Sequence, residues 1–438
     1  MAPTRTLLSG LLGAALLIPV LPAATAATAA DARTVDYHGL RLAVPADWRI
    51  VDLDREPGAC LRLDLPTLYL GHAGTQAECT GRAVAGRADT LHLEPLDTAP
   101  PRADIPTVTV DSGSALPEDP TKADSNELRY ALLRSGVMAT VSYGDAPDAV
   151  RRVLARARAL PAGAPGAPDA VATPTPPAEP ALATGGPGPR NAQEPFTGQG
   201  FDACTAPTQT SMDTWRADSP FGAVGIYIGG RARACAQPQL TAAWVRRQAE
   251  AGWHLMPIWV GRQPWNSSST GLSTDPSEAD EQGRSAAEGA ADAAGSLGLA
   301  AGTVLYNDLE NYTDRDTWDA PVVAYLTGWT VRLHELGYRS AAYVSASSGA
   351  QALSAHHDQA PEAMPDVLWV ARWNGEASVT DADMGLPEGT TQWYGPRRAH
   401  QFRGDHDATY GGVTINIDRN WVDVDPSTIG TVGAFPLS

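Results

Sequence analysis

The chain has 438 residues and a formal net charge of −18. That is length enough for two or three domains, each with a core. A surface that acidic repels nucleic acid and anionic membranes, so partners of those two classes are excluded. Beyond the first thirty residues no segment is long and apolar enough to span a bilayer.

Residues 1–30 read as a cleaved export signal. Arg5 supplies a short positive start, Leu7 to Leu21 is apolar, and small residues follow at Ala23, Ala24, Thr25, Ala26 and Ala27. A retained anchor would need about 20 apolar residues, and Pro19 and Pro22 cut the run short. With no Arg-Arg pair, the general secretory route is expected, and the mature protein should be secreted or cell-wall associated. Four cysteines, Cys60, Cys79, Cys204 and Cys235, would then meet an oxidising compartment. Four cysteines allow three pairings. Cys60–Cys79 and Cys204–Cys235 are the local ones, each inside one proposed domain. No CxxC and no histidine at ligand spacing accompanies them, so no metal is expected there.

Residues 31–160 carry short strand signals. "GLRLAV" alternates, and "ELRYALL" and "VMATVSY" flank Arg134-Ser135-Gly136 in the manner of a hairpin. Asp148 opens a helical run that sets Val150, Val153 and Leu154 on one face and its arginines on a solvated one. This is a small α+β domain without a catalytic signature. Residues 161–195 hold ten prolines and five glycines, a composition that cannot bury a core and reads as an extended linker.

Residues 196–438 alternate strand and helix signals. The strands are "GFDAC", "AVGIYIGG", "HLMPIWVG", "GTVLYNDLE", "RSAAYVS", "DVLWVARW", "AHQF" and "VTINIDRN". Helices are expected at "LTAAWVRRQAEAG", over 276–298, and at "APVVAYLTGWTVRLHELG". Such alternation implies a parallel sheet, and eight strands in this length fit a TIM (β/α)8-type barrel. The fold class is α/β, with the small α+β domain in front. A doubly wound open sheet is the alternative, but it would usually place a glycine-rich loop after the first strand, where "TAPTQTSMDTW" stands instead.

In a TIM barrel the site lies at the carboxyl ends of the strands, and every second residue points inward. The proposed strands end, in order, on Asp202, Tyr227, the pair Asp308 and Glu310, Tyr343, Arg372 with Trp373, and His400 with Gln401; the eighth carries Asp418 and Asn420. An isolated DxE is more often a loop cap or an ion-pair partner than a site. Four carboxylates from three strands at one mouth are another matter. Like charges held close push a pKa upward and create a proton donor beside an anion, the pairing that glycosidic cleavage requires. Eleven of the twelve tryptophans follow the linker. Trp244, Trp253, Trp318 and Trp329 are expected in the core. Trp373, at a strand end, is the candidate platform for a sugar ring. There is no GxSxG, HExxH or phosphate-binding loop. "HQFRGDHD" is a polar loop rather than a metal site, and no cofactor is expected.

Seven motifs in one order, "GFDAC", "YIGG", "YNDLENY", "YVSASSG", "WVARWNG", "HQF" and "INIDRNWVD", resemble a family of exported actinobacterial glycoside-hydrolase-like domains. The resemblance covers 198 to about 425. That family is similar to the Chalaropsis-type lysozymes, barrels that cleave peptidoglycan between amino sugars. The resemblance implies an acidic site of Asp202, Asp308, Glu310 and Asp418. Glu310 would be the general acid, expected to carry a raised pKa. Asp308 would orient an acetamido group or stabilise the ion it forms. Tyr227, Tyr343, Arg372, Trp373 and Gln401 would bind substrate. Asn307 stands where an aromatic residue is expected, and alternation turns it toward the helices. Two functions share this site: a lysozyme-like glycoside hydrolase acting on cell-wall glycan, and a non-catalytic glycan-binding or regulatory protein. Either is expected to be a monomer.

Overall fold

The amino-terminal strands form where apolar residues alternate with polar ones: Leu40, Leu42 and Val44 are buried while Arg41 and Ala43 between them are exposed. The computed structural model describes residues 32–81, 86–100, 102, 105–110, 116, 126–160, 192–265, 267 and 270–429. The export signal, the greater part of the linker (161–191) and the last nine residues lie outside them.

Strands β1 (Ala32–Tyr37), β2 (Leu40–Pro45), β3 (Arg49–Asp52), β4 (Thr67–Leu70), β5 (Thr90–Pro95), β6 (Thr107–Val110), β7 (Glu127–Leu132), β8 (Val137–Ser142) and β9 (Arg158–Ala159), with helix α1 (Asp148–Ala155), make up the first unit. One sheet has the order β1-β2-β9 and the other β3-β4-β5-β8-β7-β6. The expected hairpin is present: β7 and β8 pair antiparallel across a 3-10 turn that Gly136 closes in a left-handed conformation. Helix α1 buries Val150, Val153 and Leu154 in the core that the two sheets share.

Eight strands then close a barrel: β10 (Phe196–Asp202), β11 (Ala223–Gly229), β12 (His254–Val260), β13 (Val304–Leu309), β14 (Arg339–Ser345), β15 (Val367–Ala371), β16 (Arg397–Tyr410) and β17 (Val413–Val424). Helices α2 (Gln209–Asp218), α3 (Ala242–Glu250), α4 (Pro276–Ser296), α5 (Arg315–Glu335), α6 (Gly349–His356) and α7 (Asp381–Met384) accompany them. Thr208, Thr241, Asp275, Asp314 and Thr380 cap five of these through their side chains. The alanine and glycine pattern of α4 has a packing cause. A Cβ on Gly283 would lie 2.0 Å from the Tyr325 carbonyl oxygen on α5, and one on Gly328 2.2 Å from that of Asp280, so the two helices meet backbone to backbone.

The sheet is not wholly parallel. Strands β10 to β16 pair parallel in sequence, but β17 runs antiparallel to both β16 and β10. No helix separates β16 from β17. Gly411 and Gly412, both at positive φ, turn the chain directly back, and a direct hairpin can only be antiparallel.

Inside the barrel lie Met256, Ile258, Val304, Tyr306, Ala341 and Trp369. Outside it, Trp253 and Trp329, with Trp244 and Trp318, fill the layer beneath the helices. Asn307 faces that layer, donating from Nδ2 to the Tyr325 hydroxyl at 3.1 Å.

Both disulfides are present, Cys60–Cys79 with Cα atoms 5.7 Å apart and Cys204–Cys235 at 5.9 Å. They pack against each other in one small cluster, so the two units are docked. Leu63 N–H donates to the Ala234 carbonyl at 3.0 Å and Ala236 N–H to the Leu61 carbonyl at 3.1 Å. Replacing Cys204 and Cys235 together by serine should cost about 2–5 kcal/mol, measured as a lowered denaturation midpoint. An unchanged midpoint would show that the bridge constrains nothing.

Candidate active site

Alternation along β13 puts Tyr306 and Asp308 on the barrel's inner side and Asn307 on its outer side. Glu310 follows the strand's last residue and is half-buried. Register supplies the rest: Asp202 stands directly across from Asp418, Gln401 from Asn420, and Asp308 from Tyr343. Asp308, Glu310, Asp418, Tyr227, Tyr343 and Gln401 line one mouth. Asp202 lies just beneath, its carboxylate accepting from the Tyr227 hydroxyl at 2.9 Å and from Asn420 Nδ2 at 2.8 Å. Asp418 reaches this level by its register in an antiparallel strand, not by ending a parallel one.

Gln401 ties the mouth together. Its Oε1 accepts from the Tyr343 hydroxyl and from Trp373 Nε1, each at 2.9 Å. Its Nε2 donates to Asp418 at 3.1 Å and to Asp202 at 3.4 Å. Trp373 is 61 % exposed, so its ring face is open above that bond.

Arg372 is not brought to the site. Its guanidinium donates to the Ala382 carbonyl on α7, and its own carbonyl accepts from His400. Its neighbours Ala371 and Trp373 take the inward phase set by Trp369, and the intervening residue must face out.

Two contributors carry no periodic signal: Gln263 lies in the loop after β12, and Asp405 lies in β16 where its pairing register shifts, so "HQFRGDHD" is an irregular strand and not the loop expected. Gln263, fully buried, donates from Nε2 to the Asp308 carbonyl and accepts on Oε1 from Glu310 N–H, both at 2.8 Å. The end of β13 is thereby clamped to the loop after β12. Asp405, at φ +42°, donates its N–H to Asp418. A non-glycine residue in that region carries strain, which the surrounding structure has to hold.

The carboxyl groups are electrostatically unequal. Asp308 is buried, and its Oδ1 has no hydrogen-bond partner among the described residues. Burial, then the charges of Glu310, Asp202 and Asp418, push its pKa well above the usual carboxylate range. Burial also raises Asp202, but Asn420, Tyr227 and Gln401 oppose the rise by donating to its anion. Asp418 is pushed up to about 8, by burial and then by Asp202, while the Asp405 N–H opposes. Asp308 is thus the one of these three carboxyls whose rise no protein hydrogen bond opposes.

A carboxyl with a folded pKa above its unfolded value binds its proton more tightly in the native state. Its stabilisation is complete below about pH 4 and is lost as the pH rises toward 8. The denaturation midpoint should therefore fall over that window, and Asp418→Asn should flatten the fall. An equal slope in the variant would contradict the assignment.

Among the described residues, no group of three His, Cys, Asp or Glu side chains could hold a metal ion. Asp405 and Asp407 instead accept from Asn416 Nδ2 at 3.3 and 3.1 Å.

Residues 213–422 match the family model described as "Rv2525c-like, glycoside hydrolase-like domain". Similar solved structures include an uncharacterized B. stearothermophilus protein, 16% identical, covering 51% of this chain and 95% of that one at a TM-score of 0.36. Another is the Mycobacterium tuberculosis Tat-secreted protein Rv2525c in complex with L-tartrate, 15% identical, covering 52% and 96% at 0.36. A third is the modular autolysin LytC from Streptococcus pneumoniae, 12% identical, covering 51% and 46% at 0.33. No curated protein matches the chain.

Proposed function

We propose, on the match of residues 213–422 to the model described as "Rv2525c-like, glycoside hydrolase-like domain", that this protein is an exported hydrolase of amino-sugar polymers of the cell wall, such as peptidoglycan. The observation that carries the reading is the pair at the end of β13, Asp308 within it and Glu310 just past it. Asp308 offers a buried oxygen with no protein donor among the described residues, next to the more exposed Glu310. A buried acceptor of this kind is costly until something donates to it. The acetamido N–H of an N-acetylated sugar is such a donor, and its arrival would favour the Asp308 anion.

Glu310, on the longer and more exposed side chain, is the general acid that protonates the leaving glycosidic oxygen. Asp308 orients the acetamido group or stabilises the ion it forms. Asp202 and Asp418, held by Tyr227, Asn420, Gln401 and Asp405, set the field around them. The exposed ring of Trp373 stacks on a sugar face.

The export-signal pattern of residues 1–30 and two formed disulfides support export. The same reading divides the mature chain at residues 161–195.

The amino-sugar assignment is tested by affinity for one oligosaccharide in N-acetylated and N-deacetylated forms. Deacetylation should cost about 1–3 kcal/mol, roughly tenfold or more in Kd. Equal affinities would remove Asp308 from acetamido recognition.

A further inference from the structure

We propose that the amino-terminal domain closes one side of the mouth, so that the site takes the end of a glycan chain and not an internal stretch. This inference rests on the glycan reading above, and beyond it assigns the first domain a role in specificity.

The wall is built in. In a closed barrel of this strand order, β11 lies four strands from β15, across the mouth. On the β10–β11 side the first domain is fixed to the loop after β11 by the Leu63–Ala234 and Ala236–Leu61 backbone hydrogen bonds, an antiparallel bridge at Arg62 and Cys235. A third backbone bond, Asn416 N–H to the Ala77 carbonyl at 2.8 Å, holds it to β17. Beneath the wall, buried Arg233 donates to Glu127 of the first domain and, at 3.2 Å, to the Tyr227 carbonyl. The Cys204–Cys235 disulfide fastens the same loop to the end of β10.

The wall reaches the carboxylates. Gly81 of the first domain, with Ala234 and Cys235, lines the same cavity as Asp308 and Glu310, so a glycan seated on the carboxylates meets the first domain on that side. Toward β15 the situation reverses: Trp373 is exposed and lies over Gly404, where a Cβ would come within 2.1 Å of the indole. A chain seated on the carboxylates leaves past Trp373, and its terminal sugar stops at the wall.

Two measurements on the full chain test this. The first is calorimetric binding of N-acetylated amino-sugar oligosaccharides of increasing length. Affinity per mole of chain should stay unchanged as chains lengthen, because each offers one usable end. A rise in proportion to length, the sign of internal sites, would overturn the inference. The second is the product-length distribution during digestion of long glycan strands. The smallest fragment should dominate at every time, whereas an early ladder of intermediate lengths would overturn it. If no product forms while affinity still follows chain ends, the hydrolase reading fails and the wall stands.

Discussion

Replacing Glu310 by glutamine should lower turnover by about 10²–10⁴-fold and leave glycan affinity close to wild type. The amide keeps the volume and the hydrogen-bonding reach of the carboxyl but cannot release a proton to a leaving oxygen. The local backbone should not move, because Gln263 holds the Asp308 carbonyl and the Glu310 N–H whatever side chain follows. Single-turnover rates and equilibrium binding on one substrate separate the two effects. A glutamine variant that turns over at the wild-type rate would remove Glu310 from the chemistry. One that loses rate and affinity together would make it a binding residue.

Replacing Glu127 by alanine should destabilise the protein by about 3–5 kcal/mol. Its carboxylate is shared by two buried guanidinium groups: Arg233 donates to it directly, and Arg87 lies 3.5 Å away. Burial, with Arg233 pushing the same way, already holds Arg87 down to about 10 although Glu127 opposes. Deleting the shared anion leaves both charges where water cannot replace it. Denaturant midpoints of Glu127→Ala and Glu127→Gln measure the loss; the glutamine retains an acceptor and should fall between. A change within about 0.5 kcal/mol, the range of an ordinary surface substitution, would mean the cluster is not a buried charge network.

The barrel's strands were legible because they are covered on both faces. "HLMPIWV" is buried at every position and reads as an unbroken apolar run, and the carboxylates interrupt such runs only where the strands open. Antiparallel β17 was less visible, since its alternating "VTINID" is compatible with either direction; the adjacent glycines of "YGGV" were the available signal. Helix α2, "QTSMDTWRAD", buries only Ser211, Met212 and Trp215 and lacks a strong apolar stripe. In the first domain, β3, β4 and β6 have four residues each, too few to establish a period.

The site divides on the same grounds. Asp202, Tyr227, Asp308, Tyr343 and Gln401 follow from alternation on strands, and a strict parity count would have excluded Arg372. Gln263 acts from an irregular loop and Asp405 from a register shift within β16, both through main-chain groups, which a side-chain pattern does not encode. The docking of the two units was masked by a linker composition that suggests independence. Part of it is made by main-chain hydrogen bonds at Leu61, Leu63, Ala234 and Ala236, where residue identity carries almost no information, and the buried Arg233–Glu127 pair joins residues 106 apart in the chain.

The most direct measurement of the central claim is the release of new reducing ends from purified peptidoglycan, with wild type and Glu310→Gln side by side. Reducing ends should accumulate steadily with wild type and stay near background with the variant, although both bind the glycan. Saturable binding by the wild type with no reducing ends above background would contradict hydrolysis and make the protein a cell-wall glycan binder.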